Sequence, residues 1–316
     1  MGTLVGHVVP GSGFLLIGLW HLLNHIKLHS LNPNSYTTYA WFPTSILRYL
    51  ELFLIMGGST MSIAMELFIG PERHQPLDPD WTIPPNHLHN FEHSLISFSF
   101  FIYAAFALLF DYLKLKAREE LTQLLSAIAF GQQLLLFHLH SADHLGVEGQ
   151  YHLLLQVVVL VSLATTLLTI AFSRSFLISF VRSLSILFQG VWLIVMGFVL
   201  WTPGLVPKGC HMNSEDDHMV VRCTGDQALH RAKSLVNIQF SWFLVCITIF
   251  AMVLYLVLLR RFEKKVAEYR SLDKEDDGDG DGDGDGDDVE AQRKKLEESQ
   301  SFIHMGKGLA PIDMER

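Results

Sequence analysis

The chain has 316 residues, of which half are hydrophobic and only 17% charged, with a formal net charge of −9 and a mean hydropathy of +0.29. That balance argues against a large soluble all-α protein, because several apolar runs approach the ~20 residues a helix needs to cross a ~30 Å hydrocarbon core. The runs lack the period-two alternation of a β-barrel. The acidic charge gathers in one tail, and nothing points to nucleic acid.

The expected fold is all-α, a bundle of seven transmembrane helices near 7–27, 46–68, 90–112, 121–140, 150–172, 181–201 and 236–260 within a membrane domain of residues 1–265. The opening MGTLVGHVVPG has no positive n-region, so no cleavable signal peptide is expected. Gly6 stands where a myristoylation motif wants Ser or Thr.

Helix one starts with His7 and carries His21 and His25 four residues apart, roughly 21–27 Å away from His7 by helical rise. Helix two has Glu51 near its start, with Arg48 one turn before, and Glu66 at its end. The inner group reads as a Glu51–Arg48 or Glu51–His pair tying two helices together. Helix three opens with His89, Glu92 and His93, and helix four is interrupted by Gln123, Gln132 and Gln133. Helix four closes with His138 and His140; Asp143 and His144 follow, and Glu148 and His152 open helix five.

Basic residues near helix ends set the orientation. One side holds Lys27, Arg48, Lys114, Lys116, Arg118, Arg174, Arg182, Arg260, Arg261, Lys264 and Lys265, against Arg73, Lys208, Arg222, Arg231 and Lys233 on the other. The N-terminus is therefore expected in the lumen or outside the cell, and the C-terminus in the cytosol. The loop before helix seven then lies in an oxidising compartment, where Cys210 and Cys223 are expected to form a disulfide. Cys246 reads as a small apolar residue of helix seven. The protein is expected in the plasma membrane or an endomembrane.

Odd helices begin, and even helices finish, at the lumenal end. Seven passes thus deliver His7, Glu66, His89, Glu92, His93, His138, His140, His144, Glu148 and His152 to one rim. The pairs His89/His93 and Glu148/His152 share helix faces at i,i+4, a common way to present donors to one metal ion. The ligand candidates are His89, His93, His138, His140, His144 and His152, with Glu66 and His7 behind them. Such a donor set suits zinc or another divalent metal. Glu92 or Glu148 would serve as general base. Three functions follow: a metal-dependent membrane hydrolase acting on a lipid or small amphipathic substrate, an ion- or proton-coupled transport or ligand-binding protein, and a structural or adaptor protein whose histidines only join helices. A haem pair is disfavoured, because helices three to seven lack inner histidines.

After residue 265 the apolar pattern stops. The low hydrophobicity and dense charge of 266–316, including KEDDGDGDGDGDGDD, predict a disordered acidic cytosolic tail. Arg260, Arg261, Lys264 and Lys265 form a basic flank suited to anionic lipid headgroups.

GHVVPGSGFLLIGLW at 6–20, FEHSLISFSFFIYA on helix three, and FHLH at 137–140 followed by a histidine opening the next helix resemble the transmembrane protein 45 family. The resemblance covers roughly residues 1–265; the acidic tail and the long spacing from His140 to His152 depart from it. It implies a multi-pass membrane protein of about seven helices and no defined reaction. Plant members are loosely described as virus-response proteins.

Overall fold

Backbone N–H and C=O groups in hydrocarbon must find partners within the chain, so long apolar runs become helices. The computed structural model describes residues 4–71, 74–139, 146–215 and 218–276, with side chains to 262. Its helices are α1 (Leu4–Leu31), α2 (Leu50–Ala64), α3 (Leu88–Tyr112), α4 (Arg118–His138), α5 (Val147–Ala171), α6 (Phe176–Trp201) and α7 (Asp226–Asp276). A π-helical turn, Met65–Ile69, extends α2.

Six of these helices are long and apolar enough to cross a membrane, with α7 counted over Asp226–Phe262. The chain is a multi-pass membrane protein. The expected seventh apolar span, α4, forms as a helix but falls short as a span. Arg118, Glu119 and Glu120 charge its first turn, and Gln123, Gln132 and Gln133 dilute the rest.

The two ends of the bundle are defined by contact. At one end meet the last turns of α1 and α3 and the first turns of α2, α4 and α6, through His21, Glu51, Gln123, Arg182 and Asp111. At the other end His7 of α1, His152 of α5 and Trp201 of α6 come together, while Glu66 beyond α2 meets Asn90 and His93 of α3. By these contacts the starts of α2, α4 and α6 share one end of the bundle, and the starts of α1, α3 and α5 share the other.

α1 and α6 approach most closely. A Cβ on Gly18 would stand 2.3 Å from the backbone N of Leu187, and one on Gly190 would stand 2.2 Å from the N of Leu15. Without a hydrophobic drive between helices in lipid, small residues that let backbones touch supply the attraction. α7 lies against α5 and α6: Tyr151 Oη donates to Gln239 Oε1 at 2.6 Å, and the Phe240 and Trp192 rings meet edge-on with centroids 4.9 Å apart.

Between α6 and α7 the chain makes a hairpin, β1 (Cys210–Glu215) and β2 (His218–Cys223), pairing Cys210 with Cys223. A disulfide joins these two residues. Val221 is buried in the same core cluster as Phe137, Tyr151, Trp192 and Leu200, so the hairpin sits on the bundle. The bundle belongs to the first of two compact units, 1–264; the second is 265–316. The acidic repeat beyond 276 lies outside the described residues.

Candidate functional site

An enclosed polar group lies at the end where α2, α4 and α6 begin. α6 starts at Phe176, so Arg182 stands almost two turns inside the helix and is 2% exposed. A guanidinium without water must spend its N–H groups on protein acceptors. Arg182 Nη1 donates to Gln123 Oε1 of α4, and Nη2 donates to the Tyr39 carbonyl at 2.8 Å. Nη2 also lies 3.4 Å from His21 Nδ1.

That last contact fixes the imidazole. A guanidinium only donates, so Nδ1 of His21 accepts and the ring proton sits on Nε2. His21 Nε2 then donates to Glu51 Oε1 at 2.7 Å. A neutral imidazole thus bridges a buried cation and a buried anion. Glu51 is further held by Trp20 Nε1 at 3.1 Å and by the Phe42 backbone N–H at 2.9 Å. Of the two pairings expected for Glu51, the structure contains the histidine one. Arg48 turns instead to Asp111 of α3 at 2.9 Å, where Tyr49 Oη and Arg118 also converge.

A strap of chain closes this end. Tyr36, Thr38, Ala40, Trp41 and Phe42 are all buried, although they belong to a loop. Thr38 N–H donates to the Ser173 carbonyl, and Tyr103 Oη of α3 donates to the Ala40 carbonyl at 2.9 Å. Tyr36 Oη shares a 2.8 Å hydrogen bond with Nδ1 of fully buried His25. Burial pushes the Tyr36 phenol up to about 12.

The network is incompletely satisfied. His25 Nε2, Gln123 Nε2, Arg182 Nε and Thr38 Oγ1 are buried without a hydrogen-bond partner. Unmade hydrogen bonds at buried polar atoms cost about 1–3 kcal/mol each, so several in one network call for an explanation.

At the opposite rim, Glu66 is buried. It accepts from Asn90 Nδ2 at 2.8 Å and pairs with His93 Nδ1 at 3.4 Å. His89 and His93 stand with ring centroids 6.3 Å apart. His7 stacks on Trp201 at 4.5 Å and lies 6.0 Å from His152, whose Nδ1 meets the Glu148 carbonyl at 3.2 Å. His138 is exposed and hydrogen-bonds Gln156 Oε1 at 3.3 Å. Glu92 and Glu148 are part-buried. His140 and His144 lie outside the described residues. Among the described residues, no group of three or more His, Cys, Asp or Glu side chains is arranged to hold a metal.

Residues 119–256 match a profile described as a family of unknown function, DUF716. The match runs from the first turn of α4 through most of the apolar part of α7 and so includes Glu119, Gln123 and Arg182. The transmembrane protein 45 family is of this type, and the match names no individual member.

Sequence reasoning passed over Arg182 because it counted the residue as a helix flank. With Arg182 buried, the basic residues of that side number ten against five, and the bias keeps its sign. The signal was present in FLISFVRSLS: an arginine between serines two turns into an apolar run sits too deep to reach the interface with ease. Arg260 and Arg261 are exposed; the side chains of Lys264 and Lys265 lie outside the described ones.

Proposed function

We propose that this protein is a seven-pass membrane protein that binds a small polar solute at the cytosolic end of its bundle, in the class of ion- or proton-coupled transport and ligand-binding proteins. The seventh pass is α4, whose 21 residues extend roughly 31 Å by helical rise. Its Gln123 meets α6 at one end, and its Phe137 meets the His152 ring of α5 at the other. The lysine and arginine bias, together with the disulfide in the loop before α7, supports a lumenal N-terminus, a cytosolic C-terminus, and a basic flank of Arg260, Arg261, Lys264 and Lys265 against anionic headgroups. The remaining residues, 266–316, form the acidic tail.

The observation that carries the reading is Arg182, a buried intramembrane cation with an unpartnered Nε beside the unpartnered nitrogens of Gln123 and His25. Ionisable groups at such depth are expensive and mark solute sites. The test is thermal unfolding of the full chain in lipid nanodiscs with small polar solutes of negative, positive and zero charge. A solute at a hundredfold excess over its Kd stabilises the folded state by about 2.7 kcal/mol. The reading requires at least one solute to do so in the wild type and not in Gln123→Leu. Stabilisation by none of them overturns it.

A second reading places a zinc-dependent hydrolase at the lumenal rim. Its support is buried Glu66, which meets part-buried His93 and Asn90. Metal analysis of protein purified without chelators tests it, and absence of stoichiometric zinc removes it.

A further inference from the structure

The hairpin between α6 and α7 has one strand on the bundle and one at an open edge. β2 lies against α5 and α6 and carries buried Val221, whereas His211, Asn213 and Ser214 of β1 are exposed. Among the described residues the sheet consists of these two strands alone. An open edge is a template for another strand, and proteins that avoid such pairing blunt it with lysine, proline or a bulge. β1 reads CHMNSE and pairs with β2 without a break in register, so it has none of the three. The hairpin is also stiff. The Cys210–Cys223 disulfide closes one end and the Arg222–Glu215 ion pair braces the other, so little ordering cost opposes a partner.

The ladder tells which backbone groups that edge presents. Thr224 N–H donates to the Gly209 carbonyl, which makes the next pair, Cys210 with Cys223, a non-hydrogen-bonded one. By alternation Met212–Val221 and Ser214–Met219 are non-hydrogen-bonded too. The N–H and C=O groups of Met212 and Ser214 therefore point out of the hairpin. Cys210 belongs to the same row, but its N–H is already given to the Pro207 carbonyl.

This row is complementary to itself. Set antiparallel with Met212 opposite the partner's Ser214, the two residues exchange both backbone hydrogen bonds. Asn213 then stands opposite the partner's Asn213, and His211 opposite the partner's Glu215. These pairs occupy the non-hydrogen-bonded sites of the new seam, where side chains come closest. The imidazole–carboxylate pair is formed once on each side of the axis; exposed to water, it sets register more than it adds affinity. The symmetry also suits a membrane. The twofold axis of an antiparallel pair runs perpendicular to the sheet, so each face of the sheet stays on its own side. Met212 shares the face of Val221, which meets the bundle. Both bundles thus come out on one side of the joint sheet, as two copies in one bilayer must.

We propose that the β1 edge joins two copies of this chain into one antiparallel sheet in the order β2–β1–β1–β2, with Asn213 at the twofold axis. An unrelated extended peptide could use the same backbone groups but would not bring a carboxylate opposite His211 and an amide opposite Asn213.

Disulfide mapping of the full chain in its own membranes tests this in a Cys246→Ser background. Under mild oxidation Asn213→Cys is expected to link most of the chain into dimers bridged between the two 213 positions, as read by peptide mapping. Val220→Cys, directly opposite Asn213 on β2, is the control. Its two copies would stand three strand spacings apart, roughly 14 Å, too far for a disulfide. Ser214→Pro removes an outward N–H and no hairpin bond, and is expected to weaken the Asn213→Cys linkage about tenfold. The wild type needs no variant to fold: two differently tagged copies expressed together are expected to co-purify. Tags that do not co-purify overturn the dimer. Tags that co-purify while Asn213→Cys stays unlinked, equal linkage at Val220→Cys, or linkage indifferent to Ser214→Pro overturns the β1 edge as its seam. Linkage of Asn213→Cys to a different protein overturns the second copy as the occupant.

Discussion

Gly18 of α1 lies against the main chain of Leu187 in α6 so closely that a Cβ added to it would stand 2.3 Å from the Leu187 nitrogen and 2.5 Å from its Cα. Backbone cannot step aside as a flexible side-chain tip can, so the two helices would have to separate along the seam that also contains Gly190. Gly18→Ala is expected to destabilise the bundle by about 1–3 kcal/mol through overpacking. Gly13→Ala is the control, because a Cβ there meets nothing within 4 Å. Removing a helical glycine at such a site is worth up to about 1 kcal/mol in the other direction. Unfolding in detergent with increasing SDS measures both; equal effects at the two positions would contradict the close seam.

Glu51 is the anion that compensates Arg182. Glu51→Gln keeps the size of the side chain and removes the charge, leaving the guanidinium buried without its counterion. Breaking a buried pair from one side costs about 3–5 kcal/mol. The same unfolding assay is expected to show a loss of that order. The loss should shrink in Glu51→Gln combined with Arg182→Gln, because the second change removes the unpaired charge; additive losses would show that the two groups are not coupled.

Tyr36 gives a readable pH signature. Its pKa is raised by burial to about 12 from an ordinary value near ~10. A group whose folded pKa lies above its unfolded value contributes stability that is complete below the unfolded value. That contribution is lost as pH rises through the folded one. The Tyr36 share of stability therefore persists to pH ~10 and disappears between there and about 12. Spectrophotometric titration at the phenolate band is expected to show one fewer late-titrating tyrosine in Tyr36→Phe than in the wild type. A titration unchanged by that substitution would refute the assignment.

The disulfide closes a loop of sequence separation 13 between Cys210 and Cys223. Chain-entropy arguments put such a cross-link near ~3 kcal/mol. Cys210→Ser with Cys223→Ser is expected to release the hairpin first, seen as faster amide exchange through 210–223. The same cysteines test the topology. In intact cells, a membrane-impermeant reductant followed by an impermeant maleimide should label them if they face the lumen or the exterior at the plasma membrane. Labelling only after permeabilisation of cells whose protein is at the surface would invert the orientation.

How legible was this in the sequence? Six helices long and apolar enough to span grow from apolar runs, because the demand for internal hydrogen bonding in lipid leaves a run such as LLLQVVVLVSLATTLLTIA no other conformation. Parity also put Glu66 and His93 at one end and His21 and Glu51 at the other, while Asn90, which joins Glu66, was not singled out. Chemical weight was harder to read. Histidine density drew attention to the rim, yet His138 there points outward, whereas single residues on separate helices, Gln123, Arg182 and Tyr103, build the enclosed network. No pattern within one segment relates them, since their proximity is set by how α3, α4 and α6 pack. The 210–223 hairpin also went unanticipated, because six-residue strands in a loop carry little periodicity.

The burial of Arg182 bears on how the chain is made. An arginine near a helix centre raises the cost of insertion by roughly 2.5–3.5 kcal/mol on translocon scales, least where it lies off-centre. Glu51 and Gln123 are synthesised before it and are already in place when α6 emerges. The Glu51–His21–Arg182 network thus waits on the sixth helix. A chain ending before that point would hold Glu51 without its cation.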